Sequence, residues 1–336
     1  METAKCGDPA YFPKASGAFK RGASHVQNWI EPADAAKGRY HLIVNYACGW
    51  SARVILVRAL KGLEDCVGIT HTKLVIAPPG GWAMLAADSF AEDKGWGSVF
   101  DVYNWDGEGY GDGSEKFGKR QLSVPVLVDL QTKRVVSNDS AQICFILNSA
   151  FDAFATVEID LYPETLRPQI ERINAVVYPG INDGVYRCKF AGSDAAYDEA
   201  HAALYAAIAF VDEELKNGAF LCGDAVTLAD VRTFCHLIRF DPIYRDFMLR
   251  KDRPNDKLPP RVVAYLERLH NYKAVALNCD SHLATVGYYN QMGGKATVAV
   301  CDAIYDESKY DWQPTRLALE EQRKLQNLPT DASLHI

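Results

Sequence analysis

YHLIVNYACGWSARVILVRALKG, residues 40–62, decides the fold. Leu42, Ile43 and Val44 form an apolar, β-rich run that reaches a short turn, and Cys48 sits where the turn becomes a helix. From a start near Gly49, the residues Val54, Ile55, Val57 and Leu60 follow at helical spacing. A thiol at a helix N-terminus faces backbone N–H groups without intrahelical partners and the positive end of aligned peptide dipoles. Both favour thiolate over thiol, which makes a nucleophile of an otherwise inert sulfur. The spacing is Cys48-x-x-Ser51, so the second cysteine of a dithiol redox pair is absent. A covalent intermediate on Cys48 then needs an external thiol to release it. Two other readings stand beside the nucleophile: a lone cysteine is a common small core residue, and the same helix start suits a bound anion.

Outward from this stretch, composition bounds what the chain is. Its 336 residues suit about two domains. A chain that is 48% hydrophobic and 24% charged is globular rather than disordered. No apolar run approaches the length of a membrane span, and the first residues lack a signal-peptide core. A cytoplasmic protein is expected, with organelle targeting by the N-terminal arm left open. The net charge of −7 and the lack of a basic stripe argue against nucleic acid as a partner. The nine cysteines are odd in number and none form C-x-x-C pairs, which fits a reducing compartment and neither a disulfide scaffold nor a zinc knuckle. His236 and His282 show no spacing to a second ligand, so no metal is expected.

The organisation reads in four parts: an irregular arm over 1–38, an α/β domain over 39–152, a helical domain over 153–300 and a tail over 301–336. In the second part, residues 73–78 look β-like, and 95–120 form a Gly-, Asp- and aromatic-rich insertion too polar to pack as one element. Residues 122–136 predict a hairpin turning near Gln131 and Thr132, and 137–152 predict a capped helix with Ile143, Ile146 and Leu147 inward. The third part predicts helices over 164–177, 195–215, 227–240 and 259–272, the third opening on Thr227 and Asp230 as a capping-box variant. An α/β domain followed by an all-helical one is the inferred architecture.

That order resembles the glutathione transferase superfamily, a thioredoxin-like domain followed by an all-α helical bundle. More narrowly, the chain resembles the glutathionyl-hydroquinone reductases, the Xi class. The matching pieces are ACGWSAR at 47–53, LKGLE at 60–64, VPVLVD at 124–129 and NDSAQI at 138–143. Further on come LYPETLRPQI at 161–170, INDGVYRCKFA at 181–191, LIRFDPIY at 237–244 and the tyrosine pair Tyr288-Tyr289. Gly49 and Ser51 depart from the family's usual Cys-Pro-Trp-Ala, and a Ser51 hydroxyl bond to the thiolate is expected to offset the looser turn. Asp139 stands where the family has a longer acid.

The resemblance implies Cys48 as nucleophile, glutathione as co-substrate, a quinol-type acceptor and a homodimer. It places Trp50 and Trp96 at the substrate, Trp96 lining the glutathione cleft; an exposed loop aromatic would look the same. Val124-Pro125 is either a cis-proline turn whose preceding residue offers its backbone to the cysteinyl part of glutathione, or an ordinary edge-strand proline. Asp139 and Ser140 suit the γ-glutamyl end; on sequence alone simple helix capping is the stronger account of them, and the two roles are compatible. Tyr186, Tyr288 and Tyr289 are placed at the aromatic acceptor, with Tyr186 or Tyr288 helping protonate it; buried structural tyrosines are the alternative. Arg239 and Asp241 are expected to form a structural ion pair or cap. The implied activity is glutathione-dependent deglutathionylation of glutathionyl-hydroquinones. Other monothiol activities (thioltransferase, dehydroascorbate reductase, β-etherase) share Cys48, and a non-catalytic interaction module is the remote alternative.

Overall fold

The computed structural model describes residues 17–22, 24, 26–76, 82–84, 88–107, 122–279 and 284. The chain divides into two compact units, one comprising Ser24–Asp160 with the segment from Tyr272 onward, the other the preceding N-terminal segment with Leu161–Asn271.

The first unit is built on β1 (Tyr40–Val44), α1 (Gly49–Leu60) and β2 (Gly68–Ile76), then β3 (Trp82–Met84), α2 (Ser89–Asp93) and α3 (Val99–Tyr103). It continues with β4 (Val126–Asp129), β5 (Arg134–Ser137) and α4 (Ser140–Ser149). The sheet order is β3-β2-β1-β4-β5. Parallel pairing joins β1 to β2, and antiparallel pairing joins β1 to β4 and β4 to β5. All five residues of β1 are buried, which accounts for its unbroken apolar run. Strand β2 begins at Gly68, earlier than its polar GITHT start suggests. A side chain at Gly68 would collide with the His41 ring, so only glycine lets β2 lie against β1 there.

The insertion is not uniformly polar packing. Trp96 and, on α3, Val99, Val102 and Tyr103 join Ile43, Val126 and Val128 in one core cluster. Asp101 closes a capping box at the start of α3, accepting from the Gly97 and Ser98 N–H groups at 2.8 Å each. Residues 108–121 lie outside the described residues.

Both outer strands carry a further bridge. Gln27 pairs antiparallel with Ser137 of β5, and Ala83 of β3 pairs with Ser98. At the α1 C-terminus the buried Lys61 donates from Nζ to the carbonyls of Asn148 (2.8 Å) and Ile159 (2.9 Å) and pairs with Asp152. Those bonds satisfy a buried ammonium and tie α1 to the chain leaving α4.

The second unit is helical: α5 (Arg167–Val177), α6 (Gly184–Lys189), α7 (Asp194–Glu214), α8 (Leu228–Leu237), α9 (Arg245–Phe247) and α10 (Pro260–His270). A last short helix, α11 (Lys273–Ala276), belongs to the first unit. Tyr197, Ala200, Leu204, Ala207, Ile208 and Val211 line the buried stripe of α7 at helical spacing. Every residue of α8 is buried, and its start carries the Thr227/Asp230 capping box. Asp241 pairs with Arg245 at 3.2 Å rather than with Arg239, which donates to the Cys235 carbonyl at 2.6 Å. A carboxylate and a guanidinium four residues apart share a helix face; two residues apart they do not.

Candidate active site

The turn between β1 and α1 is held from below by Asn45. Its side-chain amide donates to Thr72 Oγ1 and to the Lys73 carbonyl, both at 2.9 Å, and its Oδ1 accepts from the Ala47 N–H at 2.9 Å. The Asn45 carbonyl accepts from the Cys48 N–H at 3.1 Å. Thus a fully buried side chain ties β2 to the turn and sets where Cys48 emerges. Nothing in the local pattern marked Asn45; an Asn directly after a buried strand and before a helix start is an Asx-turn signal that could have.

Cys48 is the N-cap of α1, and its Sγ accepts from the Ser51 N–H at 3.4 Å. In the thiol form it also points at the Val124 carbonyl, 3.6 Å away. The start of α1 thus turns one backbone N–H and its dipole toward this sulfur. The Ser51 hydroxyl is not part of this arrangement. It is fully buried and accepts from the Asn45 N–H at 3.2 Å, so the expected side-chain bond to sulfur is replaced by a backbone one. Of the seven described cysteines, Cys48 alone is not buried. Burial pushes Cys188 up to about 12 and raises Cys66 and Cys222, which makes them poor nucleophiles.

The Val124–Pro125 peptide is cis, the geometry of the cis-proline turn. Val124 and Trp96 belong to the core cluster against which Cys48 packs, so three of the expected site residues are brought together. Trp96 is 3% exposed and packs at 4.9 Å from Trp105, which excludes an exposed loop aromatic. Trp50 is half-buried on the first turn of α1, with the Arg53 guanidinium 4.6 Å from its ring centroid.

Asp139 caps α4. Its Oδ1 accepts from the N–H groups of Ala141 (2.8 Å) and Gln142 (3.2 Å), and its Oδ2 from the Gln27 side-chain amide (2.8 Å). Capping is therefore realised, and one carboxylate oxygen is left off the helix. Ser140 follows, buried, on the first turn. Tyr186 lies half-buried on α6 in the helical unit. Tyr288 and Tyr289 lie outside the described residues. Among the described residues no group of three metal-type ligands converges, and no helix is long and apolar enough to cross a membrane.

Residues 194–268 match the family model of the glutathione S-transferase C-terminal domain. The chain is 34% identical over 287 residues to the glutathionyl-hydroquinone reductase PcpF of Sphingobium chlorophenolicum, covering 84% of this chain and 88% of that protein. Among solved structures it is similar to the glutathione S-transferase Xi of Phanerochaete chrysosporium, with a TM-score of 0.72 at 32% identity over 81% of this chain and 92% of that one. The glutathione-bound structure of YqjG, a glutathione transferase homologue of Escherichia coli K-12, gives a TM-score of 0.70 at 27% identity, over 84% and 94%. Family model, sequence and architecture agree: the chain belongs to the glutathionyl-hydroquinone reductase family, the Xi class of the glutathione transferase superfamily, and is an enzyme of that superfamily.

Proposed function

We propose that this enzyme removes glutathione from glutathionyl-hydroquinones through a mixed disulfide on Cys48. One observation carries the reading: the single unburied described cysteine caps a helix, takes a backbone N–H on its sulfur and packs beside Val124 of a cis-proline turn. The Cys48 thiolate attacks the thioether sulfur of the substrate. A sulfur–sulfur bond forms, the carbon–sulfur bond breaks, and its electron pair stays on the ring carbon, which takes a proton. Tyr186 is the described tyrosine assigned to donate it. The hydroquinone leaves, reduced by two electrons, and Cys48 holds glutathione as a disulfide. The thiolate of a second glutathione attacks the glutathione sulfur of that disulfide, giving oxidised glutathione and the Cys48 thiolate, while the displaced thiol proton restores the donor.

Glutathione binding follows the same reading, supported by the glutathione in the YqjG structure. Val124 offers its backbone to the cysteinyl residue as a strand would. Asp139 keeps Oδ1 on the helix and turns Oδ2 to the γ-glutamyl ammonium, and Ser140 takes the carboxylate with its hydroxyl and its own N–H. Trp50 lines the tripeptide, and Trp96 backs the cleft from the core. A homodimer is the assembly proposed, checked by light scattering.

The test gives a glutathionyl-hydroquinone and free glutathione to wild type and to Cys48→Ala. Hydroquinone release should vanish in the variant, and wild type trapped before the second glutathione should gain the mass of one glutathione. Equal turnover by both proteins would overturn the reading.

A further inference from the structure

Residues 17–21 lie in the irregular N-terminal arm, and their odd positions Gly17, Phe19 and Arg21 share one side, as alternate residues of an extended segment do. Gly17 sits at φ +68°, and its carbonyl accepts from the Gly192 N–H at 2.7 Å. A Cβ on Gly17 would stand 2.7 Å from Ser193 Oγ, so the segment lies against the turn before α7 as only glycine can. Two residues on, the Phe19 ring packs tilted at 5.3 Å from Phe190 just beyond α6. Two further on, Arg21 Nε pairs with Asp183 at 2.5 Å, and the guanidinium carbon lies 4.5 Å from the centre of the Tyr186 ring.

We infer that this N-terminal strap belongs to the acceptor machinery, with Arg21 a positioning residue that seats the Tyr186 ring. The inference rests on the reading of Tyr186 as proton donor. Asp183 and Tyr186 are three residues apart around the start of α6, so they present a carboxylate and a ring on neighbouring positions. One planar cation engages both: an in-plane N–H to the carboxylate, and its charge over the negative face of the ring. Burial opposes the Arg21 charge, but Asp183 and Tyr186 outweigh it and hold the guanidinium pKa above the ordinary arginine value. The cation is therefore permanent, and only a quarter of its side chain (26%) remains accessible. The Tyr186 ring itself is half-buried and tilted at 6.4 Å from Tyr244, so its angle is set by what packs on it. Proton donation depends on that angle, whereas thiol attack on the Cys48 disulfide does not.

The test compares Arg21→Gln, Arg21→Lys, Tyr186→Phe and the Arg21→Gln/Tyr186→Phe double variant, all in the full chain. Single-turnover hydroquinone release should fall about tenfold in Arg21→Gln, with partial recovery in Arg21→Lys, as expected for loss of one buried cation–ring contact. Reduction of the preformed Cys48–glutathione disulfide should be unchanged in Arg21→Gln, which also shows that the variant is folded. In the Tyr186→Phe background the Arg21 substitution should cost nothing more, because the ring it seats no longer carries the proton. An equal loss in both half-reactions, or an additive loss in the double variant, would reduce Arg21 to a structural residue and overturn the inference. Normal release by Arg21→Gln beside impaired Tyr186→Phe would overturn the strap's role and leave the tyrosine reading standing. Normal release by Tyr186→Phe would remove that reading and the inference together.

Discussion

Asn45 spends every polar group it owns on the turn before Cys48. Replacing it with alanine takes these bonds from Thr72, Lys73 and Ala47, at about 2–4 kcal/mol. Asn45→Ala should therefore lower the urea midpoint and slow iodoacetamide alkylation of Cys48, because the Ser51 N–H is no longer aimed at the sulfur. Ser51→Ala makes the opposite case. Its hydroxyl serves the Asn45 N–H and not the sulfur, so stability should drop by about 1 kcal/mol while the alkylation rate stays within about twofold. A tenfold slower alkylation would put the hydroxyl at the thiolate after all. The position of Cys48 was legible because an apolar strand, a short turn and a helical period meet there. The direction of the Ser51 side chain was not, since a serine on a first helical turn can bond forward, back or to a neighbour, and only the placement of Asn45 decides.

Among the elements, α8 depends most on a single carboxylate. Asp230 is fully buried and accepts from the N–H groups of Leu221 (2.9 Å) and Thr227 (2.8 Å), from Thr227 Oγ1 (2.9 Å) and from the Tyr265 hydroxyl (3.2 Å). It joins the loop before α8, the helix start and α10. Asp230→Ala strands four buried donors and should cost about 3–5 kcal/mol, enough to leave little folded enzyme. Thr227→Ala removes one partner and should cost about 1 kcal/mol; thermal melts of the two variants check the ranking, and equal shifts would refute it. This cap could be read from Thr227 and Asp230 three apart before an apolar run. The short helix α3 could not: Val99, Val102 and Tyr103 are spaced for one buried face, but they lie in a run crowded with Gly and Asp, and five residues are too few for periodicity to show. Likewise the polar start of β2 hides a strand because its polar side chains are paired inside, Thr70 with the β1 residue His41, Thr72 with Asn45, and His71 stacked on Tyr46 at 4.1 Å, while His41 stacks on Phe90 at 4.2 Å.

For the molecule as a whole, those two imidazoles set a pH response. Burial lowers both His41 and His71 to about 3, against an ordinary value of 6.5. The unfolded chain thus binds more protons between those limits, and stability is complete above about pH 6.5 and falls as pH drops toward 3. The urea midpoint should decline between pH 6.5 and 4.5, above the range where carboxylates titrate, and His41→Asn should flatten part of that slope; a level midpoint in wild type would refute it. The two-unit architecture was legible because the period changes from mixed to purely helical near residue 160, whereas the division of the arm between the units was not, since an extended segment carries no period of its own to say where it docks. One further property follows from the arm. The N–H of Asn28 meets the Val136 carbonyl at 2.9 Å and the N–H of Asn138 meets the Val26 carbonyl at 3.0 Å, so residues 26–28 shield the rim of β5. Proteolysis after residue 30 would bare that rim as a template for strand-by-strand self-association. The clipped enzyme should scatter light and precipitate on storage under conditions where the intact chain stays clear.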